Sequence, residues 1–198
     1  MKFIAGVVGG VLLVAGVGFF YFLSGKAPVA VSDQGMPFEK FLAKSALHAR
    51  IEKEMPKDVP IALEEGAYMA GAKVYSSNCA VCHGFPNRDR GPIAKGMFPK
   101  PPHLFDGKAV TDDEPGETYW KVANGIRLTG MPAFKNSLSE AEMWQVSVLL
   151  ANANRISAAV KDQLKPPNSD GPPTGVKEPG TPLAKPGHSK APGSKPNL

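Results

Sequence analysis

The chain has 198 residues, of which 42% are hydrophobic, and its 23 Lys and Arg against 18 Asp and Glu give a formal net charge of +5. Residues 58–164 are nearly neutral, with 11 basic and 12 acidic side chains, so the basic excess lies at the two ends. This distribution lacks the basic stripe of a nucleic-acid-binding protein, and we expect no nucleic-acid partner. Globular patterning covers about 100 residues, which is a common size for one domain.

Residues 1–23 contain a membrane segment. From residue 3 to residue 23 the chain has 21 residues and no charge, which is enough to span about 30 Å of hydrocarbon as a helix. Lys2 precedes this stretch and favours a cytoplasmic N-terminus with the rest of the chain outside. A cleaved signal peptide is the alternative, but its apolar core is usually about 7–15 residues long, and the nearest small residues would leave Pro28 as the first mature residue. We therefore predict an uncleaved transmembrane anchor.

Residues 24–57 form a linker that contains one predicted helix. Apolar residues recur among Lys, Glu and Arg between Pro37 and Met55, which is typical of an amphipathic helix, and Pro56 ends it. These apolar residues are Phe38, Phe41, Leu42, Leu47 and Ile51. The helix could pack on the following domain or on a partner protein, and the sequence does not choose between them.

The globular region begins and ends with a predicted helix. Small and apolar residues recur at spacings of three and four over residues 62–78, and Gly71 lies on that face. A glycine inside a helix costs about 1 kcal/mol relative to Ala, which is explained if a second helix crosses there closely. That second helix is predicted to follow Ser139, which forms a capping-box pattern with Glu142, and to run to about residue 154.

The chain's two cysteines, Cys79 and Cys82, are followed directly by His83. This spacing lets two thiols add across the vinyl groups of one haem while the next imidazole binds the iron. A zinc site would need a second pair of ligands, and a redox dithiol would need a thioredoxin-like βαβ context. A structural disulfide across so short a loop would be strained. The run therefore predicts one covalently bound haem c with its iron.

A second axial ligand is predicted further along the chain. Met131 lies between Gly130 and Pro132, which both break regular structure and place the thioether in a rigid loop. In a protein without a haem, Met131 would more often be ordinary core methionine. Met97 and His103 lie in the loop between the cysteines and Met131, and either could compete for the iron.

A third helix is predicted from Pro115, a favoured first-turn residue, to Asn124, with Gly125 as its stop. Trp120 on this helix is predicted to be part of the core, and its indole N–H could reach a haem propionate. Residues 165–198 differ from the rest, because residues 166–198 contain nine prolines and almost no large apolar side chains. We expect this tail to be disordered.

The Cys79–His83 run, Gly91-Pro92 and Gly130-Met131-Pro132 together resemble a class I (mitochondrial-type) c-type cytochrome of the bacterial mono-haem kind. The resemblance covers roughly residues 62–155, about half of the chain. It implies an all-α fold, with a small helical domain around one covalent haem. The N-terminal transmembrane helix and the disordered tail would flank this domain.

The resemblance also implies a role for each site residue. Cys79 and Cys82 would form the thioethers, His83 would be the proximal ligand and Met131 the distal ligand. The carbonyl of Pro92 would accept the proton on the other ring nitrogen of His83 and so orient the imidazole. In this family the first and last helices cross at a glycine and an aromatic. That crossing would place Gly71 and Tyr75 against Trp144 and Val148.

The function implied is one-electron transfer rather than catalysis. A membrane-tethered carrier in a respiratory chain would exchange electrons with an oxidase, a quinol-oxidising complex or a dehydrogenase. The haem domain would lie on the periplasmic side of a bacterial cytoplasmic membrane. Two alternatives stay open: a fixed haem relay subunit of a dehydrogenase or oxidase complex, and a haem peroxidase with an open sixth position.

Overall fold

The computed structural model describes residues 2–105 and 113–166, and all the regular structure in this part is helical. The helices are α1 (Lys2–Leu23), α2 (Glu39–Glu54), α3 (Glu65–Asn78), α4 (Ala80–His83), α5 (Pro92–Lys95), α6 (Pro115–Asn124), α7 (Glu140–Ala151) and α8 (Ala158–Gln163). The predicted all-α fold is confirmed. The tail predicted over residues 165–198 lies outside the described residues except for its first two.

Helix α1 is long and apolar enough to cross a membrane, and none of its residues is buried against the rest of the described protein. The predicted N-terminal apolar helix is therefore confirmed. Membrane anchors and signal sequences near an N-terminus share this length and composition.

Helices α3 and α7 cross closely at Gly71, as predicted. A Cβ atom at this position would collide with the carbonyl oxygen of Gln145 and would lie 3.1 Å from the Cβ of Leu149. The prediction paired Gly71 and Tyr75 with the face of α7 that carries Trp144 and Val148, and the atoms closest to Gly71 belong to the adjacent residues Gln145 and Leu149. Trp144 stacks on Tyr119 of α6, with ring centroids 4.3 Å apart and an interplanar angle of 17°.

The ends of α6 and α7 follow from local sequence. The Ser139 hydroxyl accepts a hydrogen bond from the backbone N–H of Glu142, and the Glu142 carboxylate accepts one from the backbone N–H of Ser139 at 2.8 Å. This is the predicted capping box. Helix α6 begins at Pro115 and ends before Gly125, whose φ of 66° is readily adopted by glycine.

Two further helices pack on this core, of which α8 was not predicted. Helix α8 packs on α3, and its Val160 is completely buried. Helix α2 packs on α6 through its C-terminal end, where Ile51 is only 2% exposed. The carbonyl oxygen of Pro56, just after α2, occupies the space that a side chain at Gly116 would need. The sequence left open whether this helix packs on the following domain or on a partner protein, and its C-terminal end packs on the domain.

Candidate haem-binding site

The two cysteines lie where α3 passes into the short helix α4. Cys79 is the C-cap residue of α3, and its backbone N–H donates to the carbonyl of Tyr75 at 2.8 Å. The backbone N–H groups of Cys82 and His83 then donate to the carbonyl of Cys79 at 3.1 and 2.9 Å. Residues three apart in a helical turn lie on one face. The two thiols are therefore presented together, with the histidine directly after them.

The environment of the thiols suits thioethers better than thiolates. Both cysteines are free and partly buried. Burial, with a smaller contribution from Cys82, raises the pKa of the Cys79 thiol to about 12. A thiolate is charged, and burial opposes it unless a metal is bound, whereas a thioether to haem carries no charge. The burial of Cys79 is therefore compatible with the haem interpretation.

His83 is held as a neutral imidazole. Its side chain is 9% exposed, and its Nδ1 lies 2.8 Å from the carbonyl oxygen of Pro102. Burial lowers the pKa of His83, and the positive charge of Arg90 adds to this effect, although the hydrogen bond to Pro102 opposes it. With the proton on Nδ1, the lone pair of the ring is on Nε2. A neutral imidazole oriented in this way is the form that binds a metal.

The predicted partner of His83 is wrong: the acceptor is the carbonyl of Pro102, not that of Pro92. Pro92 is the first residue of α5, and its carbonyl accepts the backbone N–H of Gly96 at 3.1 Å. Pro102 lies in a Pro-Pro run outside any helix, so its carbonyl has no partner within a helix and remains available. No local signal in the sequence distinguishes the two carbonyls, because the choice depends on the path of the loop that carries Pro102.

The loop that supplies Pro102 is fastened to the segment after α4. Arg90 donates from its guanidinium to the carbonyl of Pro101, and Nε2 of His103 lies 2.8 Å from the carbonyl of Arg88. The His103 ring also fills the space beside Gly84, where φ is 81°. These contacts engage His103 in holding the loop and weigh against its role as an iron ligand.

Met131 lies in a constrained loop, as predicted. Its backbone N–H donates to the hydroxyl of Thr129 at 3.1 Å, and its carbonyl accepts the N–H of Ile126 at 3.2 Å. Gly125 packs so closely on this loop that a Cβ there would lie 2.8 Å from the Met131 carbonyl oxygen. The Met131 side chain is partly buried against the same core cluster that Cys79 contacts. The structure thus brings Cys79 and Met131 to one core.

The rival methionine is close to the same loop. The methyl group of Met97 occupies the space where a side chain at Gly130 would be. Gly130 therefore allows Met97 to pack directly beside the residue that precedes Met131. Both methionines lie at this loop. Only Met131 stands between a glycine and a proline.

The indole N–H groups of the two tryptophans differ in their hydrogen bonding. The Trp120 indole N–H donates to the carboxylate of Glu54 at 3.2 Å, so the structure uses it to hold α2 and not to reach a haem propionate. The indole N–H of Trp144 is buried and has no hydrogen-bond partner among the described residues. A buried unpaired donor costs about 1–3 kcal/mol. An acceptor on a bound group would remove that cost, and the sequence offered no signal for it.

Large apolar side chains pack on the core cluster that Cys79 and Met131 also contact. Several partly buried residues pack on the core cluster beside Cys79 and Met131, namely Tyr68, Met69, Phe85, Leu104, Phe105, Tyr119, Phe134 and Leu138. Phe85 follows His83 closely in the chain, and Leu104 and Phe105 follow Pro102. A large apolar group would bury more of their surface, at about 25 cal/mol per Å². The paired thiols, the neutral imidazole and this apolar surface fit a haem.

Comparison with known proteins agrees with this chemistry. The family model described as "Cytochrome C oxidase, cbb3-type, subunit III" matches residues 66–150, which include the cysteines, His83 and Met131. Among solved structures, a chain of the Kuenenia stuttgartiensis reducing HAO-like protein complex is similar at 28% identity and a TM-score of 0.43, over 54% of this chain and 53% of that one. The match thus spans about half of that relative's length. No curated protein sequence matches. The family match supports a c-type cytochrome domain over residues 66–150, whose cofactor is covalently bound haem c with iron.

Proposed function

We propose that this protein is a membrane-tethered cytochrome that transfers one electron at a time through a haem attached to Cys79 and Cys82, with His83 and Met131 as axial ligands. The observation that carries the proposal is the buried, neutral His83, whose Nδ1 is committed to a backbone carbonyl. Bound haem iron supplies the redox couple between its ferric and ferrous states. His and Met ligation raises its potential relative to other axial sets.

The residues of this chain keep the site suited to electron transfer. The Pro102 carbonyl fixes the His83 ring and strengthens it as a donor. The loop around Met131 is held by hydrogen bonds of its backbone groups and by close packing against Gly125, which supports the role proposed for its thioether. Two permanent protein ligands leave no position for a substrate. We therefore favour an electron carrier over a haem peroxidase.

The working place proposed for this carrier is the periplasmic face of a bacterial cytoplasmic membrane, with α1 as the anchor. Its redox partners would be an oxidase, a quinol-oxidising complex or a dehydrogenase. The matching family is described as a subunit of an oxidase, which supports a second candidate function. In that alternative the protein is a fixed haem relay within an oxidase or dehydrogenase complex.

Carbon monoxide binding tests whether a protein ligand occupies the sixth coordination position of the iron. We expect the reduced native protein to bind carbon monoxide poorly and to turn over peroxide slowly, because Met131 occupies the sixth position. Met131→Ala should bind carbon monoxide readily, and Met97→Ala is the matched control that should not. Rapid binding and fast peroxide turnover by the native protein would contradict the carrier and favour the peroxidase.

Native electrophoresis of gently solubilised membranes distinguishes a carrier from a relay subunit, since only a relay subunit would migrate with a large complex.

A further inference from the structure

Helix α2 is apolar on opposite sides at its two ends. Leu47 and Ile51 face the domain, and Ile51 is buried there. Leu42 precedes Ile51 by nine residues. Nine residues at about 100° each amount to two and a half turns, so Leu42 points away from the domain. Phe38 lies just before the first residue of the helix, with a φ of 62°, and is also exposed.

The C-terminal end of α2 is fastened to the haem domain at three points. Ile51 is buried, the Glu54 carboxylate accepts the indole N–H of Trp120, and the Pro56 carbonyl packs directly on Gly116. Burial, a polar contact and a backbone contact act on successive turns of the chain. The orientation of α2 relative to the domain is therefore set by the fold.

The N-terminal half of α2 presents large apolar side chains to the outside. Phe38 is 77% exposed, Phe41 is 67% exposed and Leu42 is 63% exposed. The next positions on this face, Ser45 and Ala49, carry no charge. A contiguous apolar face of this kind marks an interaction site. We call Phe38, Phe41 and Leu42 the outer face of α2.

The beginning of α2 lies beside the end of α1. One cleft is lined by Tyr21 in the last turn of α1 and by Lys26 just after that helix. Met36 and Pro37, just before α2, line the same cleft. If α1 spans a bilayer, its last turn lies at the boundary between lipid and water. The outer face of α2 then lies at the same boundary.

We propose that the outer face of α2 inserts into the boundary between headgroups and acyl chains of the bilayer that holds α1. This inference rests on the proposed membrane anchoring. Aromatic side chains prefer that boundary, and an apolar helix face can lie within it.

Helix α2 would then hold the haem domain rigidly relative to the membrane and would not act as a flexible tether. Phe38 and Ile51 are thirteen residues apart in the chain, which corresponds to about 20 Å along a helix axis. One end of this rigid helix contacts lipid and the other end holds the haem domain. The domain would therefore keep a restricted height and orientation above the membrane, which restricts the face it offers to a membrane-bound redox partner.

Nitroxide labels on the full-length, haem-loaded protein test this arrangement. Haem attachment consumes the native thiols, so single Leu42→Cys, Glu52→Cys and Val14→Cys variants each provide one labelling site. The protein is reconstituted in vesicles of phosphatidylcholine and phosphatidylglycerol and kept reduced, since low-spin ferrous haem is diamagnetic. Collision with oxygen, which partitions into lipid, is compared with collision with a water-soluble nickel complex. A label at Phe38 repeats the Leu42 measurement at a second position.

We expect the labels at Val14 and Leu42 to favour oxygen and the label at Glu52, which is exposed near the other end of α2, to favour nickel. A Val14 label in lipid with a Leu42 label in water would overturn the docking and leave the anchor intact. A Val14 label in water would overturn both the anchor and the docking. A Leu42 label shielded from both reagents would also overturn the proposal, because a second copy of the chain would then cover the outer face.

Discussion

At the scale of single residues, two methionines lie at one loop. Met97 fills the space that the absent side chain of Gly130 leaves, and Met131 follows directly. This contact gives Met97 a role that does not require iron binding, which is to support the loop that presents Met131. A methionine adapts well to such a gap because its side chain is unbranched and polarisable.

Substitution of each methionine separates these roles. Oxidised wild-type protein should show the weak near-infrared charge-transfer band of a Met–iron bond. Met131→Ala should abolish the band and lower the midpoint potential, since Met/His ligation raises it. Met97→Ala should retain the band. The reverse result, a band lost in Met97→Ala and kept in Met131→Ala, would transfer the ligand role to Met97.

The cysteine pair has an equally direct test. The double variant Cys79→Ala, Cys82→Ala should lose all haem that survives a denaturing gel, because covalent attachment needs the thiols. Haem staining for peroxidase activity after electrophoresis measures this. Val81→Ala changes the exposed residue between the cysteines and should retain the stain. Covalent haem in the double variant would contradict the proposed attachment.

At the scale of elements, the domain depends on how α3 and α7 meet. Gly71 brings the backbone of α3 against the Gln145 carbonyl, and Tyr75 is completely buried one turn further along. The Tyr75 hydroxyl donates to the carbonyl of Gly84 at 2.6 Å, and its ring packs edge-on against Phe105. The helix crossing is thus linked through one side chain to the turn after His83.

The cap of α7 contributes measurably to this crossing. Ser139→Ala removes the hydroxyl that accepts the Glu142 N–H and should lower the free energy of unfolding by about 1 kcal/mol. Urea unfolding of the haem-loaded protein measures the change. Ser137→Ala is a matched control, because the Ser137 hydroxyl donates only to a nearby carbonyl. Equal losses in the two variants would show that the cap is not responsible.

The same cap predicts a pH dependence. Hydrogen bonds from the Ser139 hydroxyl and backbone N–H lower the pKa of Glu142 below 4.5. A carboxyl whose pKa is depressed on folding stabilises the protein above its unfolded-state pKa, and this contribution is lost as the pH falls through the folded-state value. The difference between wild type and Ser139→Ala should therefore shrink in acid below about pH 4.

At the scale of the whole molecule, α1 and α2 connect the haem domain to its surroundings. The full-length protein should sediment with membranes and resist carbonate and high-salt washes, and its N-terminal peptide should retain Lys2. Mass spectrometry of that peptide is the measurement. A mature N-terminus at or beyond Ala27, with the protein in the soluble fraction, would replace the anchor by a signal peptide.

Removal of α1 should change delivery and not intrinsic redox behaviour. Protein that begins near Pro28 behind a cleavable signal should be soluble and haem-loaded, with an unchanged midpoint potential. Electron transfer to a membrane partner should slow, because tethering raises the effective concentration of the two proteins. Equal rates with and without α1 would argue against tethering as the function of this helix.

The features that depend on neighbours in the chain were predictable from the order of residues. The Cys79–His83 run, the Ser139 cap and the bounds of α6 arise from groups within a few residues of one another. The apolar N-terminal helix also follows from composition alone. These local rules hold regardless of how the elements pack, which is why they predicted the cofactor and most of the helices.

Which distant groups meet depends on how the whole chain packs. Pro102 and Pro92 both follow His83 in the sequence, and the choice between their carbonyls depends on the path of the loop that Arg90 fastens. The Trp120 indole bonds to Glu54, which is 66 residues away. Burial of distant partners is a property of the packed chain and leaves no periodic pattern in either segment, so the partners of His83 and Trp120 could be known only from the fold.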